Sequence, residues 1–159
     1  MNEEKTLAVE EFLKESNAIE GVYDDESLEF SLKAWGYLLE QKEITIPVIM
    51  GLHRILMHNQ EIPLKYKGHL RQIPVYIGGH EAMSHKLIPT RLSTLAMNMW
   101  LHPKNWKEHH IEFEKIHPFI DGNGRTGRML MNWERLKVGL PLLIIHEGNE
   151  QFDYYKWFK

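Results

Sequence analysis

The segment from Asn123 to Val138 most strongly constrains the fold of this chain of 159 residues. At helical spacing its apolar residues fall on several sides and not along a single stripe; they are Met129, Leu130, Met131, Trp133 and Leu136. A helix that is apolar around its circumference has to be enclosed by other elements. We therefore expect a central helix here, and Gly139 and Pro141 should end it.

Six further segments show helical periodicity and are expected to surround the central helix. They are a first helix over about residues 3–21, a second capped by Asp24 or Asp25, a third opened by Thr45 and Pro47, a fourth over about 89–101, a fifth over about 105–116 and a last one from near Glu150. In the second, an apolar stripe is formed by Leu28, Leu32, Trp35 and Leu39. A chain of this length can bury about 70% of its unfolded surface, so a single compact domain over 1–159 is expected.

The segment from Arg71 to His80 departs from the helical pattern. Ile73, Val75 and Ile77 alternate with polar or proline positions, which is strand spacing. Pro74 has no N–H to donate to a ladder, so this would be an edge strand, and Gly78-Gly79 would make a turn. The predicted fold class is therefore all-α, a compact helical domain with one small β-hairpin flap over about 71–80.

Composition excludes several function classes. The formal net charge is −3 without a basic stripe, which argues against a nucleic-acid partner. The chain has no cysteine, so disulfides and thiolate zinc sites are excluded. The acidic N-terminus does not have a signal-peptide pattern, and the longest apolar stretch, near Pro141–Ile145, is too short to cross a bilayer. We expect a soluble cytoplasmic protein that does not enter the membrane.

The chemistry is expected in the loop from His117 to Arg128, which reads HPFIDGNGRTGR. Gly122 and Gly124 flank an asparagine at the start of the central helix, where free backbone N–H groups form an anion site. Arg125 and Arg128 are three residues apart, so they should share a helix face and grip phosphate oxygens.

Two further side chains of this loop suit phosphate chemistry. Asp121 offers a hard oxygen ligand for Mg²⁺ held together with phosphates. The unperturbed pKa of a histidine, about 6.5, suits proton abstraction near neutral pH, which makes His117 a candidate base. Taken singly, each feature has a simpler reading, such as a helix cap, a turn or a solvated charge pair. Their coincidence within one short loop favours a nucleotide site.

The twelve residues resemble the motif of the Fic (Fido) family, His-x-Phe-x-Asp/Glu-Gly-Asn-Gly-Arg-x-x-Arg, at every specified position. The resemblance continues through the flap and the turn at Gly139-x-Pro141 to Tyr154. It implies the Fic fold and a protein adenylyltransferase, which transfers AMP from ATP to a serine, threonine or tyrosine hydroxyl. The sequence names no target, and members of the family usually continue beyond the position of Lys159 with residues that lie near the adenine.

The resemblance also implies a role for each residue of the loop. His117 would be the general base, Asp121 the ligand of Mg²⁺, Gly122, Asn123 and Gly124 the phosphate cradle, and Arg125 and Arg128 the clamps on the outer phosphates. Phe119 would be a buried anchor without a chemical role.

The flap residues Val75, Tyr76, Ile77 and Gly78 would cover the nucleotide and bind an extended segment of the target protein by β-augmentation. Tyr154 would lie near the adenine. A purely structural hairpin explains the same flap pattern equally well.

A second motif lies far from the loop. The segment from Ser16 to Gly21 resembles the family's inhibitory motif, Ser/Thr-x-x-x-Glu-Gly/Asn, in the class that carries it at the N-terminus. It implies that Glu20 pairs with Arg128 and takes the place of the outermost phosphate. By itself the string is also typical of an ordinary helix end with a solvated glutamate.

Other functions stay open at this point. They are removal of AMP by the same site, a kinase that binds the nucleotide in the opposite direction, a non-catalytic nucleotide-binding regulator, and a metallohydrolase built on His109, His110 and His117. The complete Gly-Asn-Gly-Arg string argues against the kinase, and Pro118 together with the absence of a His-Glu-x-x-His string argues against the metallohydrolase. The sequence does not fix the oligomeric state, and a homodimer is compatible with it.

Overall fold

A computed structural model describes residues 2–159 of the chain. Within that range it contains the helices α1 (Glu3–Ile19), α2 (Asp25–Leu39), α3 (Ile46–Leu56), α4 (Ile88–Leu101), α5 (Trp106–Ile116), α6 (Asn123–Lys137) and α7 (Asn149–Tyr155), and the strands β1 (Tyr76–Ile77) and β2 (His80–Glu81). Short 3-10 turns lie at Leu64–Tyr66, His85–Leu87, Pro103–Asn105 and Lys156–Phe158. The expectation of an all-α fold with one small hairpin is confirmed.

Side-chain caps define where the first three helices begin. Asn2 accepts a hydrogen bond from the N–H of Lys5 at α1, and Asp24, not Asp25, accepts one from Ser27 at α2. Thr45 caps α3 by accepting from the N–H of Val48, and a proline follows within the first turn. These caps satisfy backbone donors that would otherwise have no partner at a helix start.

Helix α6 is enclosed as its composition predicts. It packs against α5, α1, α2 and α3. From Arg125 to Arg135 every residue is buried. Two residues that were expected to be buried are exposed. Leu136 of α6 is 40% exposed, and Leu39 of the α2 stripe is 41% exposed, while its neighbour Leu38 is fully buried. Both exceptions lie in the last turn of their helices.

A second, smaller apolar cluster joins the end of α1 to α6 and the C-terminal segment. Ile19, Met131, Ile145 and Tyr154 are buried in it, and Trp106, Leu143, Trp157 and Phe158 pack against them. The cluster fixes the end of α1 beside the end of α7. It thereby brings Glu20 and Tyr154 to the same side of α6.

The flap is shorter than the alternation of apolar residues predicts. Only Tyr76–Ile77 and His80–Glu81 pair as antiparallel strands among the described residues, with Tyr76 opposite Glu81. Gly78 and Gly79 form the turn with positive φ angles, as expected. The expected strand over residues 71–75 is wrong. The Val75 carbonyl still accepts from the Ala82 N–H at 2.9 Å, but residues 72–74 are exposed and the buried Arg71 side chain bonds to the carbonyls of Ile73 and His117.

Candidate active site

The candidate site opens as a cleft of about 980 Å³ beside the start of α6. Seven of the residues that the sequence singles out line it: Glu20, Ile77, Gly78, His117, Gly124, Arg128 and Tyr154. Asp121, Gly122, Asn123, Arg125, Val75 and Tyr76 do not line the cleft. The structure therefore brings the predicted base, one predicted clamp, the flap turn and the predicted adenine-side tyrosine together.

His117 stands at the end of α5 in an unusual conformation. Its φ of 49° makes it the one non-glycine residue of the described range with a positive φ. Its N–H still donates to the Phe113 carbonyl at 2.9 Å, and Pro118 follows, which ends the helix. A left-handed conformation is costly for a residue with a Cβ atom, so the surrounding contacts must hold it.

The His117 imidazole is half-buried on the cleft wall. Burial lowers its pKa, and the nearby Arg71 guanidinium lowers it further, while the Glu114 backbone, Asp121 and Glu20 act in the opposite sense. The Nδ1 atom is buried without a protein partner. A neutral imidazole on the wall of a cleft can accept a proton from a bound hydroxyl, which is what a general base requires.

Asn123 fixes the shape of the loop from within. Its Oδ1 accepts from the Phe119 N–H and its Nδ2 donates to the Phe119 carbonyl, both at 2.9 Å. The side chain is 3% exposed. Asn123 therefore shapes the predicted cradle through its side chain, and a direct contact between that side chain and phosphate stays a prediction.

His53 supports the loop from beneath, and the sequence analysis did not single it out. Its ring stacks on Phe119 with centroids 3.8 Å apart and an interplanar angle of 7°. Its Nδ1 accepts from the Gly68 N–H at 2.9 Å, so its Nε2–H donates to the Asp121 carbonyl at 2.7 Å. Burial lowers the pKa of His53 to about 4, which keeps this ring neutral. A lone histidine on an apolar helix gives no sequence signal of such a role.

Asp121 and Gly122 form the turn that leads into α6. The Gly122 N–H donates to Asp121 Oδ1 at 2.8 Å, and the Asp121 side chain is exposed. Gly122 has a φ of 82°, and a Cβ atom there would lie 2.6 Å from the Met57 sulfur, so glycine is required.

An exposed carboxylate at the mouth of an anion-binding turn fits a Mg²⁺ ion that takes its other ligands from phosphates and water. Among residues 2–159, no group of three His, Cys, Asp or Glu side chains is placed to hold a metal by itself. Asp121 as a ligand of Mg²⁺ stays a prediction.

The two arginines of the loop lie three residues apart on α6, but their guanidinium groups bond to different neighbours. Arg125 donates from Nη1 to Gln60 Oε1 at 3.1 Å, and its Nη2 lies 3.5 Å from the Met57 sulfur. Arg128 instead faces the end of α1. Because both guanidinium groups are buried, each turns to the acceptors within its own reach. The clamp role of Arg125 stays a prediction.

Arg128 is held by the N-terminal motif. Its Nη2 donates to Glu20 Oε1 at 2.8 Å and to the Ser16 carbonyl at 3.0 Å, and its Nε donates to Ser16 Oγ at 2.8 Å. Arg128 is 2% exposed, whereas the side chain of Glu20 is 36% exposed. A Cβ atom at Gly124 would lie 2.5 Å from Glu20 Oε1, so the glycine leaves the space that this ion pair occupies.

Tyr154 closes the inner end of the cleft. Its hydroxyl lies 2.6 Å from His110 Nε2 and 3.5 Å from Arg128 Nη1. The flap lines the cleft through Ile77 and Gly78, while Tyr76 is 70% exposed.

Glu114 is a further cleft residue that the sequence analysis missed. Burial raises its pKa to about 7, and Arg128 acts against this rise while Glu20 adds to it. Its Oε1 is buried without a partner. Its position one helical turn before His117 is the sequence signal that would have identified it.

The three histidines of the metallohydrolase hypothesis do not form one site. His109 Nδ1 lies 2.6 Å from Glu134 Oε1, whereas His110 Nε2 lies 2.6 Å from the Tyr154 hydroxyl. Only His117 of the three lines the cleft. The separate partners explain why no metal cluster forms among them in the described range.

Comparison with known proteins agrees with this geometry. Residues 43–134 match the profile of the Fic/DOC family. The chain is 38% identical over 136 residues to the protein adenylyltransferase Fic of Drosophila erecta and 36% identical to that of Drosophila persimilis, in each case over 77% of this chain. The matches cover 26% and 25% of those proteins, so the chain spans about a quarter of the length of these relatives.

Solved structures share the fold. A Fic-domain-containing signaling protein from Bacteroides thetaiotaomicron superposes with a TM-score of 0.78 at 19% identity, over 95% of this chain and 70% of that one. Fic-1 from C. elegans superposes with a TM-score of 0.77 at 21% identity, over 98% of this chain and 55% of that one. The fold and site define a Fic-type domain. With more than half of its length matched by the family profile, this chain belongs to the Fic/DOC family.

Proposed function

We propose that this chain is a protein adenylyltransferase that transfers AMP from ATP to a hydroxyl side chain of a target protein. The observation that carries the proposal is the meeting of His117, Gly124 and Arg128 in one cleft at the start of α6. A proton acceptor, a helix start able to bind an anion and a buried guanidinium are the groups that AMP transfer needs. The Drosophila relatives carry the name of this activity.

The reaction balances with these groups alone. His117 takes the proton of the target hydroxyl while the oxygen of that hydroxyl forms a bond to the α-phosphorus of ATP. The bond from that phosphorus to the bridging oxygen breaks, and pyrophosphate leaves. The N–H groups at the start of α6 and Arg128 would hold the outer phosphates, so most of the acceleration would come from positioning and electrostatics. Asp121 would hold Mg²⁺, which neutralises phosphate charge when it is bound.

In the present arrangement, Glu20 would inhibit the transfer. Its carboxylate takes the Arg128 donor that an outer phosphate of ATP would need. The nucleotide would then bind with displaced phosphates, and the α-phosphorus would not face His117. Release of Glu20 is therefore part of the proposed activity.

The target would bind as an extended segment at the flap. The hairpin has two strands only, so each leaves one edge with free backbone groups. Ile77 and Gly78 line the cleft, which supports binding of the target at the flap. Backbone pairing with an edge strand gives affinity that depends little on the sequence of the target.

A homodimer also stays a prediction, which light scattering of the purified chain would test.

Labelling by ATP radiolabelled at the α-phosphate, with Mg²⁺ present, tests the function. We expect weak labelling of protein by the wild type, stronger labelling by Glu20→Gly, and none by Glu20→Gly combined with His117→Ala. Mass spectrometry of the product should show an addition of about 329 Da for AMP, whereas about 80 Da would indicate a kinase. No labelling by a folded Glu20→Gly protein that binds ATP would contradict the proposal and favour a non-catalytic regulator.

A second candidate is the removal of AMP from a modified protein by the same cleft. It is favoured by the partly exposed carboxylate of Glu20, which lines the cleft together with His117 and is suited to orient a water molecule. If the wild type released AMP from a protein labelled by Glu20→Gly, and Glu20→Gly did not, removal would be the activity of the wild type.

Among residues 2–159, no helix combines the length and the apolar character that crossing a membrane requires.

A further inference from the structure

One buried side chain outside the family motif connects the flap to the backbone of His117. Arg71 is 2% exposed, and its guanidinium donates to four carbonyl oxygens. The acceptors are His117 at 2.6 Å, Ile116 at 3.1 Å, Ile73 at 2.9 Å and Met83 at 2.5 Å. In addition, the backbone N–H of Arg71 donates to the Pro118 carbonyl at 2.9 Å.

The four acceptors belong to two separate structures. Ile73 and Met83 flank the hairpin, one before β1 and one after β2. Ile116 and His117 form the end of α5, where carbonyl groups have no partner within the helix. A single guanidinium therefore ties both ends of the flap to the turn that carries the predicted base.

The backbone at that turn needs such support. His117 has a positive φ of 49°, a conformation that a residue with a Cβ atom adopts when its surroundings hold it there. The five donors of a guanidinium form a planar fork, which can serve several carbonyls in fixed directions. The ammonium of a lysine has three donors on a flexible stem and cannot reproduce that pattern.

Arg71 also contributes charge. Burial is the first cause of the lowered pKa of His117 and the Arg71 charge is the second; the Glu114 backbone, Asp121 and Glu20 raise this pKa. Glu81 of β2 is the acidic group that acts on Arg71 itself. The hydrogen-bond pattern and the charge are therefore two separable contributions of one residue.

We propose that Arg71 is a positioning residue of the transfer reaction, which holds the His117 turn and the flap in one geometry, so that a target strand paired with the flap presents its hydroxyl to the imidazole. The inference rests on the proposed function for its kinetic part. Arg71 does not line the cleft, so it contributes without contact to the nucleotide.

Two substitutions in the Glu20→Gly background separate hydrogen bonding from charge. Arg71→Lys keeps the charge and loses the fork, and Arg71→Met loses both. From the sensitivity of catalysis to small displacements, we expect labelling to fall about tenfold in Arg71→Lys and about 100-fold in Arg71→Met, with the affinity for ATP-Mg unchanged. The acid limb of the pH profile should move to higher pH in Arg71→Met and stay in place in Arg71→Lys.

The outcomes that overturn the proposal are equally definite. A folded Arg71→Met protein that labels within about twofold of its parent would show that the geometry does not depend on Arg71. A fall in ATP affinity equal to the fall in rate would show that Arg71 acts on the pocket as a whole. If Arg71→Met does not fold, the same two criteria apply to Arg71→Lys.

An NMR titration separates failure of this inference from failure of the proposed function. If the Glu20→Gly parent labels nothing, the proposed function fails, yet the His117 signal, assigned by comparison with His117→Ala, can still be titrated. We expect a higher pKa of His117 in Arg71→Met than in the parent, and faster exchange of the amides of residues 76–81 in both Arg71 variants. An unchanged pKa in Arg71→Met together with unchanged exchange would overturn the inference independently of activity.

Discussion

Glu20 Oε1 lies 2.8 Å from Arg128 Nη2, although the two residues are 108 positions apart in the chain. One partner comes from the end of α1 and the other from the second turn of α6. Arg128 is almost fully buried, so an anionic partner is needed to compensate its charge. In our account either Glu20 or a nucleotide phosphate supplies that anion, and the competition between them controls the site.

Ser16 should support the inhibitory contact. Ser16→Ala removes the hydroxyl that accepts from Arg128 Nε at 2.8 Å, while the backbone carbonyl of residue 16 still accepts from Nη2. Loss of one hydrogen bond to a charged group costs about 1–2 kcal/mol, so labelling should rise about 5- to 30-fold, less than in Glu20→Gly. Rates with labelled ATP test this, with the exposed Ser93→Ala of α4 as control. Unchanged labelling in Ser16→Ala would show that this hydroxyl does not support the contact.

Asn123 should be essential to both the loop and the stability. Asn123→Ala leaves the buried N–H and carbonyl of Phe119 without partners, which should lower the free energy of unfolding by about 2–4 kcal/mol. Urea denaturation measures that loss, and labelling by the folded protein should fall as well, because the turn before α6 loses its shape.

Asn132 offers a matched control for this prediction. It forms the same two kinds of hydrogen bond, with the backbone of Leu143, on the far side of α6. Asn132→Ala should destabilise the protein by a comparable amount and leave labelling by the folded fraction in place. If both variants lose labelling equally, the effect of Asn123 would be one of stability alone.

His53 should make the protein less stable in acid. Its pKa is lowered from an ordinary value of 6.5 to about 4 by burial, so the unfolded chain binds a proton in this window and the folded protein does not. The stability contribution of the neutral ring is present above the unfolded pKa and is lost as the pH falls toward 4, by about 3 kcal/mol in total. Urea denaturation of wild type and His53→Gln between pH 7 and pH 4 measures the difference. If the free energies of unfolding of wild type and His53→Gln fell in parallel with pH, the predicted role of the His53 ring would be contradicted.

His117 should remain an active base below the pKa of an ordinary histidine. Burial and Arg71 both lower its pKa, so the neutral imidazole persists to lower pH in the folded protein. The acid limb of labelling by Glu20→Gly should therefore lie below about pH 6.5. A pH profile of kcat/KM for ATP-Mg, which reports the free enzyme, measures the limb, and a midpoint above that value would be inconsistent with the site described.

Much of the fold follows from patterns that lie within single segments. The caps at Asp24 and Thr45, the Gly78-Gly79 turn and the enclosure of α6 are all local consequences of sequence. The motif loop likewise placed His117 and Arg128 in one cleft. The contacts that could not be predicted from the sequence join segments that are distant along the chain. Examples are the carbonyls that Arg71 binds, the partners of Arg125 and the His53 ring under Phe119. These contacts depend on tertiary packing, which the periodicity of a single segment does not predict.

The most direct test of the account is the affinity for ATP and AMP, measured by calorimetry with Mg²⁺ for the wild type, Glu20→Gln and Glu10→Gln. The last variant removes the same charge from an exposed position of α1. If Glu20 and an outer phosphate compete for Arg128, Glu20→Gln should bind ATP at least about tenfold more tightly than the wild type, with AMP affinity unchanged and Glu10→Gln like the wild type. An ATP affinity that does not change in Glu20→Gln, or that changes by the same factor as that for AMP, would contradict the competition.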